Sequence, residues 1–275
     1  MNKKQTDFRR FQSPSDAKDY RIFLKNENKG EKDKYRLDGE RLKDSSVRSL
    51  FCEVGVLTKC KGSAYIERGL TKVIASVFGP REIQKKLDFS STTGILSVEY
   101  KETAFASRDT SDNSNEKNIS LFLAETLRST VCLHLYPKSK IDVFITVLEN
   151  DGSAVATAIT AASLALSDAS INLFDLAIGS SVRLHKKRAF VDPCKKEEGI
   201  HASITDEEND GNIVIGYQPS LEQIVALLQD GIMEQTVLSS QIQNLIISAK
   251  ETLPMIQECL IESLNEKLSE INTSS

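Results

Sequence analysis

The chain opens without a sustained hydrophobic rhythm. Residues 1–34 are polar, rich in Lys, Asn, Asp and Glu, and such a stretch has too little apolar surface to order itself. A tail over residues 1–35 is expected, disordered or ordered by a partner. Its apolar patch Tyr20-Arg21-Ile22-Phe23-Leu24 is a candidate for docking on a neighbour. From Val54 the pattern turns to strands. Residues 54–57, 63–68 and 71–78 are β-rich and separated by Gly-containing turns, which predicts three consecutive strands. Residues 95–100 continue the sheet, and residues 108–117 read as a polar loop. A helix is predicted over 119–134, with Leu121, Leu123, Leu127 and Val131 as core-facing candidates. Ile141, Val143, Ile145 and Val147 alternate with more polar positions and predict a strand over 141–148. A helix over 155–169 follows, carrying Ala156, Ala158, Ala161, Ala162, Ala165 and Ala169. Short side chains let a helix approach its neighbours closely, so packing alone accounts for the alanines.

The second half repeats the theme weakly. Residues 176–184, 212–217 and 222–228 read as strands. An amphipathic helix is predicted from Ser239 to about Glu270. Pro254 interrupts it and predicts a kink, because proline removes one backbone hydrogen bond and clashes with the preceding turn. Strands followed by helices, twice over, predict an α+β domain built from two βαβ-type halves. The halves are placed at about 36–184 and 185–270, with a short tail at 271–275.

Composition narrows the possibilities. With 275 residues and 40% hydrophobic content the chain can bury a full core. No window approaches 18 consecutive apolar residues, so no membrane-spanning helix and no membrane role are expected. The N-terminus MNKKQTDFRRFQ lacks an apolar segment of the secretory kind. Cys52, Cys60, Cys132, Cys194 and Cys259 form no CxxC pair, and His134, His185 and His201 lack ligand spacing. Reduced thiols in an intracellular protein are expected, with no metal site and no cofactor. Charge is uneven: residues 1–36 hold 11 Lys/Arg against 6 Asp/Glu, and the rest holds 24 against 33. Because RNA affinity comes largely from neutralising phosphates, an acidic body argues against tight autonomous RNA binding.

Two blocks carry chemistry. The first is LENDGSAVATAITAASLAL at residues 148–166, where an alternating run turns into the alanine-rich helix. The second is GVLTKCKGSAYIERGLTKVIASVFGPRE at residues 55–82, preceded by RLDGE at 36–40. Together they resemble the RNase PH family of phosphorolytic exoribonucleases, over about residues 36–268. The resemblance implies an RNase PH fold (ribosomal protein S5 domain 2-like), with helices packed on mixed sheets. It is strongest to ring subunits of the exosome, of the mRNA-transport-regulator type, which lack activity. In the family a DGGTR-like turn grips the attacking phosphate through its Thr-Arg pair. Here Asp151 and Gly152 match, but Ala154 and Val155 stand where Thr and Arg belong. Ser153 keeps one hydroxyl and is expected to cap the helix. Backbone N–H groups at the helix start could still attract an anion weakly.

The remaining elements of the family's chemistry are also incomplete. VDPCKKEE at 191–198 resembles the family's LDLDxxED segment, with Asp192 on the first acid but Cys194 on the second. A further acid falls near Gly211, beside Asp210. The acidic run TDEEND at 205–210 could bind a divalent cation, but a solvated charge run is the simpler reading. Where the family's enzymes carry an arginine pair, this chain has Ser114 and Asn115, with Arg108 and Lys117 nearby. No catalytic residue is assigned. Arg81, Lys85 and Lys86, in a turn that faces the channel neck in the family, and Arg108 are the expected RNA contacts. The resemblance implies a non-catalytic subunit of a six-membered ring. Its partners would be other RNase PH-like subunits, S1/KH-type cap subunits and RNA in the channel, in nucleus, nucleolus and cytoplasm. The alternative is an active phosphate-dependent 3′–5′ exoribonuclease.

Overall fold

The computed structural model describes residues 36, 41, 43–82, 92–106, 113–185, 188–198 and 210–274. The N-terminal tail over 1–35, with its patch at 20–24, lies outside them. So do Lys85, Lys86, Arg108 and most of the acidic run at 205–210.

The first sheet contains β1 (Leu50–Val54), β2 (Gly62–Arg68), β3 (Thr71–Glu82), β4 (Ile95–Glu102) and β5 (Ser139–Glu149), in the order β1-β2-β3-β5-β4. Its one parallel pair, β4 with β5, is bridged by helix α1 (Asn113–Thr130), as a crossover connection requires. Helix α2 (Ala154–Asp168) follows β5 and leads to the second sheet. That sheet holds β6 (Ile178–His185), β7 (Arg188–Val191), β8 (Asp210–Gln218) and β9 (Gln223–Ile232), ordered β7-β6-β8-β9. A single turn, α3 (Lys195–Glu198), lies between β7 and β8, and α4 (Gln235–Ser274) ends the chain.

The three long helices form a layer that touches both sheets. Helix α1 packs on β4 and β9, α2 on β2, β3, β6 and β8, and α4 on β1 and β6. The alternation read from the sequence sets the strand faces: Val73, Ala75 and Val77 on β3, and Ile141, Val143, Ile145 and Val147 on β5, all point into the core. Each of the buried Val and Ile side chains contributes about 1.5–3 kcal/mol. Helix α2 is enclosed on nearly all sides, which is why its apolar positions show no single stripe. Its alanines meet glycines on both sheets. A Cβ on Gly179 of β6 would lie 1.9 Å from the Ala156 carbonyl oxygen, and one on Gly62 of β2 would lie 2.2 Å from the Ala169 nitrogen.

Several expectations shift. The first strand ends at Val54, where the 54–57 reading began. Gly55 has φ +76°, and Val56 and Leu57 are exposed. Helix α1 starts at Asn113, inside the expected polar loop, and stops at Thr130. Val131 then bridges to Leu173, and a short 3-10 turn follows at Leu133–Leu135. Leu123, Leu127 and Val131 are buried, but Leu121 is 63% exposed. Two residues before Leu123 on a helix lies nearly the opposite face. Strand β3 runs on to Glu82 through the cis Gly79–Pro80 bond. Among the described residues the second sheet has no parallel pair, so a βαβ-type crossover is found in the first half. The expected boundary at 184/185 cuts β6, and residues 271–274, expected as a tail, continue α4.

Candidate functional site

The turn between β5 and α2 is the meeting point of the residues singled out in the sequence. Thr71 Oγ1 donates to the Gly152 carbonyl oxygen at 2.7 Å and accepts from the Asp151 N–H at 3.1 Å. The Arg48 guanidinium donates to the carbonyl oxygens of Asp151 and Gly152 at 3.0 and 3.1 Å. Gly152 has φ +91°, and a Cβ there would sit 2.4 Å from the Pro193 carbonyl oxygen. The glycine thus lets the turn press against the segment after β7.

Ser153 stands at the N-cap position but does not cap. Its φ of 54° places it in the left-handed region, and its side chain makes no capping hydrogen bond. The hydroxyl instead donates to the Pro193 carbonyl oxygen at 3.0 Å and accepts from Ser181 Oγ at 2.8 Å. The expected cap is corrected here: the serine hydroxyl is buried and engaged elsewhere. The Ser153 N–H, just before α2, donates to Glu198 Oε1 at 2.7 Å. The chain's own carboxylate thus takes one of the backbone donors at the head of α2. Burial pushes the Glu198 carboxyl above its usual range, against the opposing hydrogen bond from Ser153 and the charges of Lys195 and Arg48.

The acids of the 191–198 segment are committed in different ways. Asp192, at φ +52°, is buried. It accepts from Arg48 Nε at 3.0 Å, Nη2 at 2.8 Å and the Arg48 backbone N–H at 2.9 Å. Burial opposes its ionisation, but the Arg48 hydrogen bonds and the charges of Arg68 and Arg48 outweigh burial and hold it well below the usual carboxylate range. Glu197 accepts from Arg36 at 2.9 and 2.6 Å. Arg36, the first residue of RLDGE, is thus a buried ion-pair partner. Burial and neighbouring Glu197 push the Cys194 thiol up, so it stays neutral near pH 7 and supplies no charge where the family has a carboxylate. Asp210 is bound by Arg183 at 2.9 Å, with His185 Nδ1 at 3.3 Å. Among the described residues, no three His, Cys, Asp or Glu side chains converge as a metal requires.

Ala154 and Val155 line a cleft of about 210 Å³ between the two sheets. Its lining includes Glu102, Glu198 and Asp230, together with Tyr100, Asn150, Ser153, Ser181 and Asn212, and no Lys or Arg among the described residues. Tyr100 Oη and Asn150 Nδ2 both donate to Glu102 Oε1, at 2.8 and 3.2 Å. Asn115 lies in the first turns of α1.

Arg81 is apart from this cleft, at the end of β3, where it pairs with Asp142 and lies 6.0 Å over the Phe78 ring. Lys140 binds the same carboxylate at 2.9 Å. The expected companions Lys85, Lys86 and Arg108 lie outside the described residues. Sequence reading missed Glu198, whose contact spans 45 positions, and Arg48, whose role becomes visible only when β1, the β5–α2 turn and the β7–α3 turn come together.

The model of the RNase PH family, described as "3′ exoribonuclease family, domain 1", matches residues 46–172. An exosome complex component Rrp41 of Pyrobaculum arsenaticum is 35% identical over 220 residues, covering 78% of this chain and 85% of the relative. The chain belongs to the RNase PH family. An RRP41-like exosome complex component of Arabidopsis thaliana is 33% identical over 216 residues, covering 78% of this chain and 81% of its own length. Rice Rrp46 shares the fold with a TM-score of 0.69 at 23% identity, over 82% of this chain and 100% of that one. A chain of the Archaeoglobus fulgidus exosome, solved with RNA bound to the active site, gives 0.67 at 19% identity, covering 81% and 92%. The α+β RNase PH fold expected from the sequence is the fold found.

Proposed function

We propose that this chain is a non-catalytic subunit of the exosome ring, one that supports 3′–5′ RNA processing and degradation by a separate nuclease. Support comes from its RNase PH family membership and from relatives named as exosome components. One observation carries the non-catalytic part. The cleft at the head of α2 has Ala154 and Val155 on its wall, Glu198 on the Ser153 N–H, and three carboxylates but no Lys or Arg among its described side chains. Phosphorolysis requires a phosphate dianion held against the charge of RNA, by preorganised cations or donors. Three carboxylates in the lining, Glu102, Glu198 and Asp230, oppose that.

Partner surfaces support the ring reading. Strand β9 is an edge with Ile224, Leu227, Leu228 and Ile232 exposed, and β1 is the edge of the other sheet with Phe51 exposed. Long exposed apolar edges are unusual in proteins that work alone. The proposed neighbours are other RNase PH-like subunits, with S1/KH-type caps above and RNA in the channel. Arg81, Lys85, Lys86 and Arg108 are the proposed RNA contacts. The competing reading is an active phosphate-dependent exoribonuclease, favoured by the description of the family as 3′ exoribonucleases. Co-expression with a second RNase PH-like ring subunit tests assembly: a stoichiometric heterodimer is expected, with the isolated chain oligomeric or poorly soluble. A soluble monomer that ignores every such partner overturns the ring reading.

A further inference from the structure

Two of the five cysteines meet across the packing of α4 on β1. Along β1 the even positions turn inward, so Leu50, Cys52 and Val54 face the helix while Phe51 and Glu53 face outward. Along α4, Leu245, Ala249, Thr252 and Ile256 form the buried stripe, and Cys259, three residues after Ile256, continues it. Cys259 Sγ donates to the carbonyl oxygen of Cys52 at 3.3 Å, and Cys52 Sγ reaches the carbonyl oxygen of Met255 at 3.8 Å. Met255 is the residue one helical turn before Cys259, so each sulfur lies against the backbone next to the other. Both residues are only partly buried, and both are free thiols.

We propose that Cys52 and Cys259 are a dithiol pair that small-molecule disulfides convert into a disulfide fastening the C-terminal half of α4 to the edge strand β1. The pair is chemically unequal. The contact between the two side chains raises the Cys52 thiol, with burial adding to the effect. The same contact lowers Cys259, against burial and the acids Glu262, Glu53 and Asp168. Cys259 is therefore the attacking thiolate and Cys52 the resolving thiol. The Cys259 thiolate attacks a small disulfide RSSR, forming Cys259–S–SR and releasing RS⁻. Cys52 then gives up its proton and attacks the Cys259 sulfur, releasing a second RS⁻. Two protein thiols lose two electrons and two protons, and one RSSR becomes two RSH. Cys132 and Cys194 are buried, and Cys60 donates to Leu57, its own neighbour in sequence.

The full chain, reduced and then exposed to oxidised glutathione, provides the test. Intact mass should fall by two hydrogens, non-reducing peptide maps should join Cys52 to Cys259, and the thermal midpoint should rise by about 5 °C or more, because the bridge closes a very long loop. Cys52→Ser should stop the reaction at one glutathione adduct on Cys259, whereas Cys60→Ser should leave the bridge unaffected. A wild-type map showing another intramolecular pair, or adducts without a bridge, or no reaction at all, overturns the proposal. If Cys52→Ser fails to fold, the wild-type map alone decides.

Discussion

At the residue scale, the cluster around Arg48 ties together the turn before α2 and Asp192 of the segment after β7. Asp192 sits where the family has an acid, yet its three hydrogen bonds all come from Arg48. Asp192→Asn should remove the charge that supports the fully buried Arg68 and leave Arg48 with Asp151 at 3.8 Å in place of its 2.8 Å partner, costing about 3–5 kcal/mol in denaturant unfolding. The sign of the pH dependence follows from the depressed carboxyl. Its stabilisation is complete above the unfolded-state pKa of about 3.9 and is lost as pH falls toward the lower folded value. Wild type should therefore lose stability on acidification below about pH 4 more steeply than Asp192→Asn. At the vacant phosphate position, Ala154→Thr with Val155→Arg should not create turnover. The new guanidinium would face Glu198 and its neighbouring carboxylates before it met phosphate, and Cys194 still lacks the family's acid. Rapid phosphate-dependent release of nucleoside diphosphates by that double variant would contradict this account of the cleft.

At the element scale, the strands and helices with clear periodicity were legible in the sequence. Strand β5 alternates over Ile141–Val147, and α2 has its block of alanines. The errors lie where tertiary contacts overrule local pattern. Helix α1 begins among polar residues because Glu116 in its first turn accepts from the Glu102 N–H of β4 at 3.2 Å, a contact with no local signal. Strand β7 and the turn α3 are too short to carry a period. Glu198 belongs to the same class: nothing in KKEE announces that its carboxylate reaches the head of α2. The alanine-glycine contacts of α2 make a sharp prediction. Gly179→Ala places a methyl group 1.9 Å from the Ala156 carbonyl oxygen and should cost about 1–3 kcal/mol or more by forcing α2 from β6. Gly55→Ala meets nothing within 4 Å and is strained only by its φ of +76°, so its cost should be smaller, about 1 kcal/mol. Equal denaturation midpoints for the two variants would argue against close packing on α2 as the constraint.

At the scale of the whole molecule, the formal net charge is −4 at pH 7. An acidic chain is expected to bind RNA weakly alone and to contribute within an assembly that supplies the other charges. Lys85→Ala with Lys86→Ala should lower the magnitude of the assembled ring's log–log salt slope by about 1 to 1.5, at roughly 0.7 per single-strand phosphate contact. An unchanged slope would remove that turn from the RNA path without touching the cleft. The central claim concerns the cleft itself, and its most direct test is to incubate the purified chain, alone and paired with a ring partner lacking its own active site, with 3′-labelled RNA, magnesium and inorganic phosphate. The account predicts no nucleoside diphosphate above background in either sample. Nucleoside diphosphate that appears with phosphate and vanishes without it would contradict the account and make this chain an enzyme.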